Sequence, residues 1–184
     1  MYNEKIALYA SFIAMLLIVS SYFYRKKSLY LLFQAVGMTF LMASYAFDKQ
    51  YFAMIGLGVG LFRSLTFYAY EKRDTLAPVF WSFLCALLTV ACYFLVNIGV
   101  RKTAKPLDIL YLCSLILYAF VFRIRDMKKM RLATLAPTGL AVLYNALIKS
   151  SPFVVISYAF EAAANLVAIL KYDIFTKEKG YEKR

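Results

Sequence analysis

Arg63 lies within the apolar stretch Tyr51–Tyr70, and Glu161 and Asn165 lie within the apolar stretch Pro152–Leu170. A full charge inside a long apolar helix is costly. It faces protein or water rather than lipid, and it marks a place where a solute, an ion or a partner is handled. Glu161 and Asn165 are four residues apart, so they share one helical face. An arginine beside an amide suits an anionic or polyhydroxyl solute, because the planar guanidinium can bind a carboxylate or phosphate through two parallel bonds. Glu161 adds a carboxyl about one turn from the level of Arg63, close enough for the arginine to cross the gap. It reads either as a proton-coupling acid or as the fixed partner of an ion pair locking the two segments together. Arg63 has a competing reading of its own. It stands nine residues before Lys72, roughly 13 Å along a helix, and could extend toward the headgroups.

Gly56 and Gly60 form a G-x-x-x-G pair on the face that carries Arg63, and such pairs let helix backbones approach closely. The same small residues beside a charge could instead open a cavity, whose other wall would hold Tyr158, Ala162 and Asn165. The expected substrate-binding set is Arg63, Asn165, Glu161, Gly60 and Tyr158. Gln34, Ser44, Asn97 and Asn145 are lesser candidates that interhelical hydrogen bonding explains adequately. Gly56, Gly58 and Gly60 do not make a nucleotide loop, since neither a strand nor a phosphate-binding lysine accompanies them.

Several chemistries are excluded. The chain has no histidine, which removes His-based triads, HExxH zinc sites and histidine-ligated haem. Cys85, Cys92 and Cys113 lie inside apolar stretches, with neither a disulfide framework nor a metal-ligand spacing. No catalytic residue, metal or cofactor is expected. An enzyme acting on lipid within the membrane finds no clustered acid pair to use.

The elements that must hold these residues are seven apolar blocks, about Ile6–Tyr24, Ser28–Phe47, Tyr51–Tyr70, Ala77–Val100, Leu107–Phe122, Leu132–Ile148 and Pro152–Leu170. Most approach the roughly 20 residues that span ~30 Å of hydrocarbon. A soluble domain of 184 residues could not hide a composition that is 63% hydrophobic, so lipid must cover it. The expectation is an all-α integral membrane protein, a single domain spanning 1–184. Residues 5–73 and 107–173 form two parallel three-helix bundles, 77–100 form a linker helix between them (3+1+3), and 174–184 form a charged tail. The first block, long and without a basic leader, is expected to stay in the membrane rather than serve as a cleaved signal.

The net charge of +12 is read as topology. With the N-terminus outside, fifteen Lys and Arg fall inside and six outside, the cluster Arg101–Lys105 dissenting. This places the C-terminus in the cytoplasm. Tyr22–Tyr24 and Phe67–Tyr70 then flank apolar spans as interfacial aromatics, and nucleic acid is not an expected partner. The expected partners are the lipid bilayer and a small polar or anionic solute, and the choice between monomer and homo-oligomer stays open.

The first three blocks repeat as the last three at an offset of 102. That offset pairs Tyr9 with Tyr111, Val19 with Val121, Gly37 with Gly139, Leu41 with Leu143 and Arg63 with Asn165. Repeats related by an axis along the membrane normal place a shared site at their interface. The stretch Arg25-Lys-Lys-Ser-Leu-Tyr-Leu-Leu-Phe-Gln34, then Gly56–Arg63 and Phe67-Tyr-Ala-Tyr-Glu-Lys72, resembles the YgjV family of bacterial inner-membrane proteins. Val142-Leu-Tyr-Asn145, Glu161-Ala-Ala-Ala-Asn165 and Lys171-Tyr-Asp173 agree in the second half.

The resemblance implies a location in the bacterial inner membrane. In plan it is similar to the SWEET and PQ-loop carriers, which implies alternating access with the solute held between the third helices of the two bundles. Those carriers hold a proline within the first helix of each bundle as a hinge. Here the first block has none, and Pro106 only opens the fifth. Two functions follow: a small-solute transporter, or a non-transporting scaffold or sensor in which Arg63 and Glu161 form a structural ion pair.

Overall fold

Apolar periodicity without strand alternation produces helices throughout. The computed structural model describes residues 2–47, 51–101, 106–147 and 152–174. Among the described residues there are seven α-helices and no strand: α1 Tyr2–Ser21, α2 Lys27–Phe47, α3 Tyr51–Lys72, α4 Val79–Phe94, α5 Asp108–Val121, α6 Met127–Leu147 and α7 Pro152–Ala168. α4 runs on into a π-helical segment, Leu95–Arg101, and α7 into another, Ile169–Ile174. Beyond Ile174 the expected charged tail lies outside the described residues, as do the connections carrying Lys49, Lys102, Lys105 and Lys149.

Among the described residues, three segments are long and apolar enough to cross a membrane by length and composition: Lys27–Phe47, Val79–Asn97 and Val155–Tyr172. Seven such spans were expected. α1 and α5 contribute shorter apolar helices, while α3 carries Arg63 at mid-length and α6 opens with Lys128, Lys129 and Arg131.

The surface is more apolar than the interior. Phe80, Phe83, Leu87 and Leu95 stand out from α4, and Phe12, Leu16, Phe160 and Leu166 from α1 and α7. The interior holds Gln34, Arg63, Ser64, Ser82, Thr134, Thr138, Glu161 and Asn165. Polar side chains inside and bare aliphatics outside suit a lipid surround, where polar groups bind helices to one another.

α2 packs between α1 and α3, and α6 between α5 and α7; α4 lies against α3 and α5, and α1 meets α7. Hydrogen bonds pin these contacts. Ser44 Oγ donates to the Ala7 carbonyl at 2.9 Å, and Trp81 Nε1 donates to the Tyr70 hydroxyl at 3.0 Å. α3 ends in a Schellman turn. Asp74 takes a φ of 52°, with Thr75 N bonding Tyr70 O and Asp74 N bonding Glu71 O, both at 3.1 Å.

Beside that turn the basic residues are tied down. Lys27 pairs with Glu71 at 3.2 Å, Arg125 with Asp74, and Arg123 Nε donates to Ala77 O at 3.1 Å. Arg131, which the sequence reading counted as a loop charge, is instead buried within α6. Its Nη2 donates to Tyr24 O at 2.8 Å and its guanidinium lies over the Tyr172 ring.

The buried faces also correct the repeat. In the first two helices of each half, burial matches at positions 100 apart: Ala14 with Ser114, Ile18 with Tyr118, Tyr22 with Phe122, Tyr30 with Met130, Gln34 with Thr134 and Leu41 with Ala141. In the third helices it matches at 101: Arg63 with Ala164, Ser64 with Asn165 and Phe67 with Ala168. At 102, Tyr9, which is 67% exposed, would face buried Tyr111, and Leu143, which is 46% exposed, would replace buried Leu41. Two residues turn a helix by roughly 200° at 3.6 residues per turn, so that register puts lipid-facing positions onto the core.

The new register separates two glycines that the old one equated. A Cβ on Gly37 would sit 2.6 Å from Ile18 Cγ1 and 3.3 Å from the Ala14 carbonyl, whereas on Gly139 it would meet nothing within 4 Å. Gly37→Ala is expected to lower stability by about 1–3 kcal/mol through overpacking. Gly139→Ala should raise it by up to about 1 kcal/mol through helix propensity alone. Unfolding of the detergent-solubilised variants checks both. Equal effects at the two positions would contradict the register.

Candidate functional site

A cavity opens between the two sets of helices, lined from α1, α2 and α3 on one side and from α5, α6 and α7 on the other. Its volume is about 50 Å³. At about 10–15 Å³ per water it holds roughly four waters, or one very small solute. The lining follows the corrected register. Ala14 and Ile18 of α1 match Ser114 and Tyr118 of α5, and Leu41 matches Ala141. Gly56, Leu57 and Gly60 of α3 match Ser157, Tyr158 and Glu161 of α7. The two halves thus supply one cavity from equivalent positions with different side chains.

The difference in side chains makes the site polar. Glu161 stands where the other half has Gly60, and Arg63 stands where the other half has Ala164. Each charge has a small residue at the equivalent position of the other half, and the two are staggered by three positions, roughly 4.5 Å of helical rise. Gly60 lies beside the guanidinium. A Cβ there would lie 3.6 Å from Arg63 Nη2 and 3.2 Å from Met38 Sδ. Gly56 serves packing instead, since its Cβ would meet Leu115 Cδ1 of α5 at 3.1 Å.

Arg63 is 3% exposed, and its guanidinium rests on aromatic faces, 4.5 Å from the Phe122 centroid and 5.3 Å from that of Tyr118. Both are within the range of a cation–π contact. Nη1 donates a long bond to Leu115 O at 3.4 Å, and Nε is buried without a partner. Nη2 makes no hydrogen bond among the described residues.

Glu161 is 6% exposed and is held by two phenols. Tyr22 donates to Oε1 at 2.7 Å and Tyr118 donates to the same oxygen at 3.2 Å. The Tyr118 hydroxyl also meets Thr138 Oγ1 at 2.6 Å. With both phenols on Oε1, Oε2 takes no hydrogen bond among the described residues. No ion pair within 4.0 Å joins Arg63 to Glu161, so the expected structural pair is not what the chain forms. Tyr118 stands between them, its ring toward the cation and its hydroxyl on the anion.

Aromatics pack together next to Glu161. Tyr22, Tyr30 and Phe122 are fully buried and pack edge to face, with centroids 5.3 and 5.8 Å apart. Gln34 lines the cavity, its Nε2 donating to Ser21 Oγ at 3.0 Å.

Four of the five residues expected from the sequence, Arg63, Glu161, Gly60 and Tyr158, line this cavity. Asn165 does not. It lies one turn beyond Glu161, fully buried, and its Nδ2 donates to the Arg131 carbonyl at 2.8 Å. Asn145 likewise bonds within its own helix, to Ala141 O at 2.8 Å. The sequence reading missed Tyr22, Tyr118 and Phe122. Their signal was available, because Tyr22 and Phe122 are equivalent positions once the repeat is read at 100.

These contacts give a stability prediction. Unfolding of the detergent-solubilised Tyr118→Phe, Glu161→Gln and double variants reads the bond between them. Tyr118→Phe should cost about 1–3 kcal/mol and be non-additive with Glu161→Gln, because both remove the same charged hydrogen bond. Additive costs in the double variant would show that the Tyr118 hydroxyl does not hold Glu161.

Residues 6–174 match the YgjV family, described as bacterial inner membrane protein, and the chain belongs to that family. No curated protein and no solved structure matches it.

Proposed function

We propose that this member of the YgjV family is a small-solute carrier of the bacterial inner membrane, with its solute site in the cavity between two three-helix bundles. α1–α3 and α5–α7 make the bundles and α4 links them, which gives the halves the same orientation, with the N-terminus outside and the C-terminus cytoplasmic. The observation that carries this reading is a single cavity built from equivalent positions of both halves and holding two buried charges that do not pair with each other. Charges kept in a membrane interior without mutual neutralisation are expensive, and a bound solute is what justifies them.

The aromatic layer of Tyr22, Tyr30 and Phe122 lies toward the α1–α2 and α5–α6 turns, so opening the cavity there requires those rings to part. α1 and α5 contain no proline, and bending falls instead to α2 and α6. At equivalent positions these carry Gly37 and Pro137, both poor helix formers. The alternative, a non-transporting scaffold or sensor, leaned on an Arg63–Glu161 ion pair, and the unpaired arrangement weighs against it.

Thermal unfolding of the purified protein against sugars, organic acids, amino acids and nucleosides tests the reading. A ligand at 100 times its Kd adds about 2.7 kcal/mol to the folded state. The expected outcome is a stabilising solute whose effect vanishes in Arg63→Ala. If no solute shifts the wild type and Arg63→Ala is merely less stable, the residue is structural and the carrier reading fails.

A further inference from the structure

The two charges bordering the cavity leave complementary atoms open. Among the described residues, Arg63 directs no hydrogen bond from Nη2, and its Nε is buried with no partner. Among the same residues, Glu161 is bonded only through Oε1, so Oε2 is open as an acceptor. The guanidinium offers donors to an anion, and the carboxylate offers an acceptor to a cation. The cavity wall is therefore neutral overall but unpaired at two separate points.

That arrangement selects among ligands by charge balance. A lone anion satisfies Arg63 and leaves Glu161 as an uncompensated negative charge beside it. A lone cation does the reverse. A neutral sugar meets both charges with dipoles only. A molecule bearing both signs satisfies each point and keeps the buried site neutral, the condition under which buried charges are tolerated. Size and the remaining wall narrow the choice further. The volume of about 50 Å³ admits only a few heavy atoms, and Met15, Ile18, Met38, Leu57 and Leu115 make most of the remaining lining apolar, beside Gln34, Ser114 and Ser157.

We infer that the cavity binds a small zwitterionic amino acid with an aliphatic side chain, its carboxylate on Arg63 and its ammonium on Glu161. Gly60 lines the cavity beside the guanidinium, and Tyr22 and Tyr118 hold the carboxylate so that Oε2 faces the ligand. This rests on the reading of the cavity as a solute site and names the class of solute.

The test compares alanine, propionate, ethylamine and glucose at equal concentration on the detergent-solubilised full chain, by thermal shift and by titration calorimetry. The expected result is a shift with alanine and none with propionate or ethylamine, each of which lacks one charge. Arg63→Gln and Glu161→Gln should each weaken alanine binding by more than about tenfold, as truncating one partner of a buried charge pair does. The wild-type comparison stands even if either variant fails to fold. Propionate acting as well as alanine would make this an anion site and overturn the inference, and ethylamine doing so would make it a cation site. Glucose shifting the protein while alanine does not would overturn the zwitterion and leave the carrier. Silence from every solute, extended to the broad panel, would overturn both.

Discussion

Tyr118 holds the arrangement on which the rest depends. From α5 its hydroxyl reaches Glu161 on α7 and Thr138 on α6, while its ring lies under the Arg63 guanidinium from α3. One side chain thereby solvates an anion through its O–H and a cation through its face, in a region where water is scarce. Without such a residue the two charges would collapse onto each other or have to neutralise. With it they stay apart, and the space between them is a cavity rather than a salt bridge. Phe122 one turn on and Tyr22 across the cavity extend the same logic, one under the cation and one on the anion.

The likeness of the two halves supplies the cavity, and their unlikeness supplies its chemistry. Where backbones and burial match, α3 and α7 present Gly60 against Glu161 and Arg63 against Ala164. Two equal halves with an arginine in each would face charge with like charge at the interface. Placing opposite charges on different halves, each with a small residue at the equivalent position, avoids that repulsion. Near the helix ends, Arg125 with Asp74 is an ordinary exposed pair that solvent screens, whereas Lys27 is buried against Glu71.

Much of this was legible in the sequence, for definite physical reasons. Helices were, because apolar runs near membrane length admit little else. Arg63 and Glu161 were, because charges stand out in such runs. The register was not. Leu, Tyr and Gly recur so often in apolar helices that coincident identities at 102 outweighed the burial pattern at 100 and 101. That slip gave Arg63 the wrong counterpart and drew Asn165 into the site, although its amide serves the Arg131 carbonyl. Arg131 itself looked like a loop charge because α6 begins at Met127, inside the basic stretch. Which phenol meets which carboxylate is a matter of tertiary placement between residues 139 and 43 positions apart, which no local pattern encodes.

The central claim is a water-reachable space between the halves, and thiol reactivity reads it directly. In a chain with Cys85, Cys92 and Cys113 replaced by alanine, Ser157→Cys places a thiol on the cavity wall and Ser82→Cys places one in the fully buried face of α4. The account predicts that a small water-soluble methanethiosulfonate modifies Cys at 157 far faster than Cys at 82. Equal inertness of the two would mean a dry, packed core between the helices and would contradict it.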